Sequence, residues 1–194
     1  MIAAGQASEI VDLGGGRVLR RFKGDGNPGR EADFMERARR SGYPVPRIDA
    51  VRADGLVLEY IDGPTMADDA FGRPAVFAEH ARTLARLHDE LHRIRAPEGG
   101  VLLHLDLHPR NVLISPRGPV VIDWANAEVG NAALDPALTW VILMTSAGPH
   151  GRAVAREFER HIDVESARAA AVEFRLGDAN LTAEERARVQ HLLA

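Results

Sequence analysis

The sequence predicts an α+β protein in which a small antiparallel sheet with one helix is followed by a mainly helical part. Apolar segments of five to seven residues, separated by glycine and proline, fill the first 62 residues, a pattern typical of short strands. Beyond residue 62 the apolar residues recur every three or four positions, which indicates amphipathic helices. Three further short apolar segments interrupt these helices between residues 101 and 124.

The first part begins with a predicted hairpin and a helix. Segments 7–13 and 17–23 flank a run of three glycines, and glycine between two strand-like segments favours a tight hairpin. Asn27 and Pro28 are residue types preferred at the N-cap and at the first position of a helix. The helix that they begin is expected to stop at Gly42.

Two more strands complete the predicted sheet. Prolines block a longer helix, and segments 47–51 and 56–61 are expected to be strands joined by a turn at Asp54–Gly55. The order strand, strand, helix, strand, strand implies an antiparallel sheet that carries one helix. We therefore assign residues 1–62 to a first domain and residues 63–194 to a second, helical domain.

The second domain is predicted to begin with a long amphipathic helix and three strands. The helix covers residues 75–94, and segments 101–107, 111–115 and 120–124 are the expected strands. The helix is predicted because one face repeats every three or four positions, at Phe77, Ala81, Leu84, Leu87, His88, Leu91 and Ile94.

Three more helices are expected toward the end of the chain. Asp135 and Pro136 suit the N-cap and first position of a helix that stops at Gly148–Pro149. Two helices then follow. The last is expected to begin with a capping box formed by Thr182 and Glu185.

The composition excludes several kinds of site. The chain has no cysteine, so disulfides, thiolate metal sites and cysteine nucleophiles are excluded. The first residues lack the basic and apolar regions of a secretory signal, and no apolar segment has the length of a membrane helix. We expect a soluble, cytoplasmic protein with no membrane partner.

The charge distribution leaves two interpretations open. The net charge of −4 argues against a general nucleic-acid-binding protein. Residues 17–52 nevertheless hold ten basic and five acidic side chains, so the rest of the chain is strongly acidic. Either this is an ordinary solvated surface, or a basic region faces phosphates while an acidic region faces cations.

The segment HLDLHPRNVL, residues 104–113, places two histidines, an aspartate and an asparagine between leucines that would otherwise suit a buried segment. On an extended segment His104, Asp106 and His108 would point to one face. Three nitrogen and oxygen ligands on one face suit a divalent metal such as zinc. One hypothesis is therefore a metal-dependent hydrolase, which leaves Asn111 unexplained.

Phosphoryl transfer uses more of these residues. In that reaction a carboxylate orients the acceptor hydroxyl and takes its proton, and magnesium, which prefers oxygen ligands, neutralises the phosphate charge. Asp106 suits the base, and Asn111 and Asp123 suit the metal ligands. Because the last two flank neighbouring predicted strands, one hairpin would bring all three groups to a single site.

The same segment and its surroundings resemble the aminoglycoside phosphotransferase family, the small-molecule branch of the protein-kinase-like fold. His104-x-Asp106-x-x-x-x-Asn111, followed by VVIDW at 120–124, is similar to the catalytic loop and metal-binding aspartate of that family. Five other segments are similar in the right order: RVLRRF, READFM, LVLEYIDGPTM, LARLHDE and GNAALDPALTW. The resemblance covers most of the chain and implies a two-lobe fold.

The resemblance implies a magnesium-dependent phosphotransferase that moves the γ-phosphate of ATP, or of GTP, to a hydroxyl of a small molecule. Asp106 would be the catalytic base, and Asn111 with Asp123 would hold magnesium. His104 is expected to fix the loop backbone, and Asp135 would brace the loop through that backbone. The acidic second part favours a cationic acceptor, such as an aminosugar or an amino alcohol.

The resemblance also assigns the nucleotide site to the first lobe. Glu31 would pair with a cation on the RVLRRF strand and aim it at the α and β phosphates. Glu59 and Ile61 would offer hinge backbone groups to the adenine. Alternation places Val18, Arg20 and Phe22 on one strand face and Leu19, Arg21 and Lys23 on the other. The similarity of the VLR segment to the family favours Arg20 as the cation over Arg21 and Lys23.

Several departures from the family pattern support a second hypothesis. The glycines at 14–16 do not form a G-x-G-x-x-G loop, Leu105 stands where relatives usually have glycine, and the acceptor lobe is short. These features favour a catalytically silent, kinase-like nucleotide-binding module as the alternative function. The sequence leaves the acceptor and the oligomeric state open.

Overall fold

A computed structural model of the protein describes residues 3–4, 8–24, 26–71, 73–146 and 148–192. The first lobe is a five-stranded antiparallel sheet whose strands are β1 (Ala3–Ala4), β2 (Ser8–Gly14), β3 (Arg17–Phe22), β4 (Ile48–Arg52) and β5 (Gly55–Glu59). They lie in the order β1-β2-β3-β5-β4. The sequence predicted four of these strands; residue 7, which begins the first predicted one, lies outside the described residues.

Helix α1 (Pro28–Arg40) connects β3 to β4. Its N-cap is Asn27, whose side-chain oxygen accepts the backbone N–H of Arg30 at 3.0 Å. One face of the helix is buried, and this face includes Met35 and the carboxylate Glu31. Burial of a charged side chain requires a partner of opposite charge, and β3 supplies it, as described below.

In the described residues of the second lobe there are six α-helices. These are α2 (Met66–Ala70), α3 (Phe77–Leu91), α4 (Leu134–Thr145), α5 (Gly148–Phe158), α6 (Arg168–Leu176) and α7 (Ala183–His191). Ten of the twelve residues of α4 are buried, so this helix lies at the centre of the lobe. It packs against α3, α5, α6 and α7.

Two small two-stranded sheets are formed by the chain between α3 and α4. Strand β6 (Val101–Leu103) pairs with β9 (Glu128–Gly130), and β7 (Val112–Ser115) pairs with β8 (Gly118–Val121). A single turn of 3-10 helix, Pro109–Asn111, leads into β7. The strands are antiparallel in both pairs, and the α+β class predicted from the sequence is confirmed.

Several predicted boundaries in the second lobe are wrong, and one strand was not predicted. The first predicted strand ends at Leu103 because Leu105 adopts the left-handed conformation, with φ of 59°, which an extended strand does not tolerate. The long helix begins at Phe77, after a 3-10 turn. Strand β9 was not predicted, because its three residues carry no periodic pattern.

The predictions for α4 and the following helices also need correction. The N-cap of α4 is Ala133, not Asp135, whose side chain is fully buried and bonded elsewhere. Gly148 does not end this helix but begins α5, and three helices follow α4 where two were expected. The capping box of Thr182 and Glu185 at α7 is confirmed.

The helices of the described residues also bear on membrane insertion. Among the parts of the chain that the structure describes, no helix combines the length and apolar character needed to cross a bilayer.

Candidate active site

The β7–β8 hairpin brings the predicted metal ligands to one end of the second lobe. Val112 pairs with Val121, and the backbone N–H of Ile122 donates to the carbonyl of Asn111 at 3.0 Å. Asn111 therefore lies immediately before one strand, at the same end where Asp123 follows the other. Asp123 has φ of 63°, a conformation in which Asp and Asn are several-fold enriched.

Asp106 lies at the same end of the hairpin. The Asn111 Nδ2 group donates to the Asp106 carboxylate at 3.1 Å and to the Asp106 carbonyl at 2.9 Å. Burial raises the pKa of Asp106 to about 7, and the nearby negative charge of Asp123 adds to this effect. The three side chains that the sequence assigned to one site are therefore close together.

Arg20 connects this end of the hairpin to the first lobe. Its Nη1 donates to the Glu31 carboxylate and its Nη2 donates to Oδ1 of Asp123. Only 5% of the Arg20 side chain is exposed. Arg21, on the opposite strand face, is instead exposed and pairs with Glu9. The alternation of the strand thus directs one arginine inward and the next outward.

Glu31 has a second contact across the lobes. Its Oε1 accepts the backbone N–H of Trp124 at 3.2 Å. Burial raises the pKa of Glu31, although the positive charge of Arg20 opposes this shift. Trp124 is fully buried, donates its indole N–H to Val121 and contacts the ring of Tyr43 edge-on. Glu31 therefore fixes both the arginine and the backbone after Asp123.

The Asp135 carboxylate binds the backbone of the loop that carries Asp106. One carboxylate oxygen accepts the backbone N–H of His104 at 2.9 Å and the other accepts that of Leu105 at 2.8 Å. Burial alone would raise the pKa of Asp135, but contacts with His88 and His92 hold it well below its usual value. Because the loop, α3 and α4 all meet at this carboxylate, it is unavailable as an N-cap.

Two further groups that the sequence did not single out support the loop. Thr139, on α4, donates its hydroxyl to the carbonyl of Leu107 at 2.6 Å and contacts Nε2 of His88 at 2.9 Å. His92 approaches Asp135 at 3.2 Å. Thr139 carries no signal in a single sequence, since its role depends on a loop 32 residues away.

The histidines of the loop do not form the metal site that the hydrolase hypothesis requires. His104 is fully buried, and its Nε2 bonds to the carbonyl of Ile122 at 3.1 Å. Burial also lowers the pKa of His104. Nδ1 of His108 accepts the backbone N–H of Arg110, and burial lowers the pKa of His108 to about 4. Nε2 of His108 still lies 3.5 Å from Oδ1 of Asp106, but after the turn at Leu105 the side chain of His104 bonds to Ile122 instead of joining them.

Within the described residues, one trio of His and carboxylate groups is compact enough to hold a metal. It consists of His88, His92 and Asp135. These groups lie under the loop, and they already bond to one another and to the loop backbone.

The predicted hinge residues lie where β5 leaves the sheet. The backbone N–H of Glu59 donates to the carbonyl of Arg47 at 2.9 Å, so at most its carbonyl remains for a ligand. The Tyr60 N–H donates to the carbonyl of Gly16 at 2.8 Å. The peptide groups of Ile61 have no hydrogen bond with a described residue.

The chemistry of the donor set suits magnesium, which prefers oxygen ligands. Asn111 uses its Nδ2 toward Asp106, so its side-chain oxygen has no partner among the described residues. Asp123 uses only Oδ1 toward Arg20, and 39% of its side chain is exposed. Two oxygens at one end of the hairpin are therefore available.

Comparison with a family model gives the first indication of identity. The model described as "Phosphotransferase enzyme family" matches residues 89–172, a range that contains Asp106, Asn111, Asp123 and Asp135. A curated relative, named as a cyclin-dependent kinase F-2 of Oryza sativa subsp. japonica, is 30% identical over 113 residues. The match covers 56% of this chain and 34% of that relative, so the chain spans about a third of its length.

Solved structures add the fold. A choline/ethanolamine kinase family protein from Mesorhizobium loti superposes with a TM-score of 0.64 at 14% identity, covering 98% of this chain and 86% of that one. The streptomycin-ATP-APH(2")-IIa ternary complex gives a TM-score of 0.62 at 14% identity, covering 99% and 89%. The chain therefore has the protein-kinase-like fold, and the resemblance to the aminoglycoside phosphotransferases that its motifs predicted is confirmed by the phosphotransferase family match over residues 89–172.

Proposed function

We propose that the protein is a magnesium-dependent phosphotransferase that moves the γ-phosphate of ATP, or of GTP, to a hydroxyl of a small molecule. The observation that carries the proposal is the convergence of Asp106, Asn111 and Asp123 at one end of the β7–β8 hairpin. Arg20, paired with Glu31, meets the same point from the first lobe. The family match over residues 89–172 supports a phosphotransferase.

In this proposal Asp106 is the catalytic base. The acceptor oxygen forms a bond to the γ-phosphorus while the bond between that phosphorus and the β–γ bridging oxygen breaks, and the acceptor proton passes to the Asp106 carboxylate. The products are a phosphate monoester and ADP. A pKa of about 7 makes the carboxylate a better proton acceptor near neutral pH than an ordinary aspartate.

Asn111 and Asp123 are the residues that would hold magnesium. Bound there, the ion would supply positive charge to the β and γ phosphates. Asn111 also orients Asp106 through its Nδ2 group, so one residue links the base with the metal site. The donor chemistry described above supports this assignment, because both side chains retain an oxygen without a partner among the described residues.

The first lobe would bind the nucleotide. Arg20 would bind the α and β phosphates, and Glu31 and Asp123 keep its guanidinium in place. The carbonyl of Glu59 and the N–H of Ile61 would bind the adenine edge, and the absence of hydrogen bonds to Ile61 from described residues supports this. ATP as donor is supported by the ATP complex of APH(2")-IIa, which shares the fold.

A cationic acceptor, such as an aminosugar or amino alcohol, is supported by acidic groups beside the catalytic loop. Glu128 and Glu173 line a cavity there together with Leu105, and neither forms an ion pair with a described residue. An ammonium group would balance these charges. The choline/ethanolamine kinase family protein and the streptomycin complex, both of this fold, are named for amine-bearing compounds.

Replacement of the base tests the proposal. Asp106→Asn is expected to leave nucleotide binding nearly unchanged and to reduce turnover by about two to four decades, the usual contribution of a positioned base. ADP release measures turnover over a panel of aminoglycosides, amino alcohols, homoserine and sugars, and calorimetry measures nucleotide binding. Asp33→Asn, an exposed carboxylate on α1, is the matched control. Equal turnover in the Asp106→Asn and wild-type proteins would remove Asp106 from the mechanism.

The alternative function, a catalytically silent nucleotide-binding module, is favoured by one observation. The turn between β2 and β3 is a tight glycine turn, with Gly14 paired with Arg17, so little chain is present there to cover phosphates. Slow ATP hydrolysis that Asp123→Ala abolishes would favour the enzyme. Nucleotide binding without turnover of any acceptor on a broad panel would favour the module.

A further inference from the structure

A cavity of about 670 Å³ lies beside the catalytic loop. Leu105, next to the proposed base, forms part of its wall, and the C-terminal end of α6 lies along another side. From α6 and the turn after it come Glu173, Phe174, Arg175 and Asp178. The acceptor would enter here, and the charges in this cavity restrict what it can be.

Arg175 is positioned in the cavity but only partly bonded. Its Nη1 donates to Oδ2 of Asp178 at 2.8 Å, and Asp178 is itself held by the backbone N–H of Asn180 at 2.8 Å. Nε of Arg175 is screened from solvent and has no partner, and Nη2 bonds to no described residue. Because Nε is buried and Nη1 binds Asp178, Nη2 is the nitrogen left for a carboxylate oxygen, with which it would form a charge-assisted hydrogen bond.

The apolar lining of the cavity strengthens an interaction of Nη2 of Arg175 with a ligand. Leu105, Leu138 and Phe174 give the cavity an apolar wall, and charge-assisted hydrogen bonds are stronger where water is displaced. Arg175 lies close enough to the proposed base that its charge opposes the upward shift in the pKa of Asp106. Arg175 and Leu105, the residue that precedes Asp106, line the same cavity, so an acceptor bound there would lie beside the loop that carries the base.

The cavity carries charges of both signs. Its lining includes the cations Arg30 and Arg175 and the carboxylates of Glu128, Glu173 and Asp178. Nη2 of Arg175 bonds to no described residue, and Glu128 and Glu173 form no ion pair with one. A purely cationic amino alcohol would neutralise the two glutamates and leave Nη2 of Arg175 without a partner of opposite charge. An acceptor that carries a carboxylate as well as an amine matches both signs.

We propose that Arg175 binds a carboxylate of the acceptor, so that the substrate is a small hydroxy compound bearing both an amine and a carboxylate, with its hydroxyl at Asp106. This inference rests on the proposed phosphotransferase function and narrows its acceptor class. Arg175 contributes to binding and specificity, whereas Asp106 takes the proton.

Matched pairs of acceptors test the role of the carboxylate. Serine and ethanolamine differ only by a carboxylate, as do homoserine and 3-aminopropan-1-ol. Calorimetry measures their binding to the full chain in the presence of magnesium and a nonhydrolysable ATP analogue, and ADP release measures kcat/KM. Wild-type protein is expected to favour the carboxylated member of at least one pair by about ten-fold or more, the contribution of a charge-assisted hydrogen bond.

Two variants should affect this preference differently. Arg175→Gln should abolish the preference while nucleotide binding stays unchanged. Asp178→Asn should retain or increase the preference, because it removes the negative charge that competes for the guanidinium. Arg82→Gln, an exposed position on α3, is the matched control. If Arg175→Gln does not fold, the Asp178→Asn comparison still tests the prediction.

The binding arm separates failure of this inference from failure of the proposed function. Amino alcohols that bind as tightly as their carboxylated partners, or no binding of either carboxylated compound, would overturn the role of Arg175. The same holds for a preference that survives Arg175→Gln or falls in Asp178→Asn. Turnover of amino alcohols alone, lost in Asp106→Asn, would leave the phosphotransferase function standing and remove the carboxylate site.

Discussion

Leu105 is the residue at which the catalytic loop departs from ordinary backbone geometry. It has φ of 59°, yet its side chain is only 4% exposed. The left-handed conformation costs a residue with a Cβ about 1–2 kcal/mol. The loop adopts it because Asp135 accepts two consecutive N–H groups, those of His104 and Leu105, and both bonds depend on this turn.

We predict that the glycine variant is more stable than the alanine variant at this position, the reverse of the order expected at an ordinary buried position. Leu105→Gly should be more stable than Leu105→Ala by about 1 kcal/mol, because glycine adopts positive φ without the Cβ penalty. Urea denaturation of both variants measures the difference. At Leu102, a buried strand residue, the glycine variant should be the less stable one. The same order at both positions would contradict the strain at Leu105.

Asp106 provides a prediction about pH. Its pKa is raised to about 7 by burial, so the neutral carboxyl is favoured in the folded protein. The stability that the neutral Asp106 carboxyl contributes to the folded protein is fully present below about pH 4, the ordinary aspartate range. It is lost as the pH rises through about 7. Asparagine mimics the neutral form and does not titrate.

Without metal or nucleotide, Asp106→Asn should therefore become progressively more stable than the wild type between about pH 4 and pH 7. The difference in melting temperature between the two proteins, measured across this range, tests the expectation. A difference that is constant with pH, or one that shrinks as the pH rises, would show that the carboxyl is not destabilised by its site.

At the scale of elements, the catalytic loop is held by two helices that are distant in sequence. Thr139 on α4 bonds to the carbonyl of Leu107, and His88 on α3 bonds to the same hydroxyl. All three groups are buried. Because the single hydroxyl proton of Thr139 goes to the carbonyl, the threonine oxygen accepts from the Nε2–H of His88.

Thr139→Val should remove both bonds and leave two buried polar groups without partners, which costs about 1–3 kcal/mol of unfolding free energy. Thr139→Ser keeps the hydroxyl and serves as the control. Chemical denaturation of the two variants measures the difference. Equal stability of the valine and serine variants would mean that the hydroxyl does not hold the loop.

At the scale of the whole molecule, the two lobes meet through packed side chains, such as Tyr43 against Trp124, and through charged contacts. Arg20 of β3 reaches Asp123, 103 residues later in the chain, and Glu31 of α1 binds the backbone N–H of Trp124. The nucleotide proposed above would bind at this junction. Binding there should stabilise the folded state by mass action.

Magnesium and ATP together should raise the melting temperature more than ATP with a chelator does. At 100 times the dissociation constant the stabilisation is about 2.7 kcal/mol, or about 5–10 °C for a chain of this size. Asp123→Asn should lose the magnesium-dependent part of the shift, and Asp33→Asn should keep it. A shift that is independent of magnesium in the wild type would contradict the assigned metal ligands.

Much of the fold and of the candidate site was predictable from local patterns. The N-cap at Asn27 and the capping box of Thr182 and Glu185 are contacts between residues three apart, so a short sequence window contains both partners. The alternation of β3 likewise placed Arg20 and Arg21 on opposite faces, and the family resemblance favoured Arg20 as the cation. The spacing of Asp106 and Asn111 was visible because a single loop carries both.

The missed features depend on partners that are far apart in the chain. The local pattern at Asp135 indicated an N-cap, and only the family resemblance implied that this residue braces the loop, because its carboxylate binds backbone groups 30 and 31 residues away. Arg175 belongs to an ordinary amphipathic helix, and only packing places it near the catalytic loop.

By itself the sequence determined most of the strands and helices, the caps at Asn27 and Thr182 and the residue types available for phosphoryl transfer, because these follow from interactions within a few residues. Only the tertiary structure decided where β6 ends, that Ala133 rather than Asp135 caps α4, and which arginine lines the cavity beside the loop. Those outcomes depend on hydrogen bonds and charges that meet after the two lobes have packed, and no local pattern encodes them.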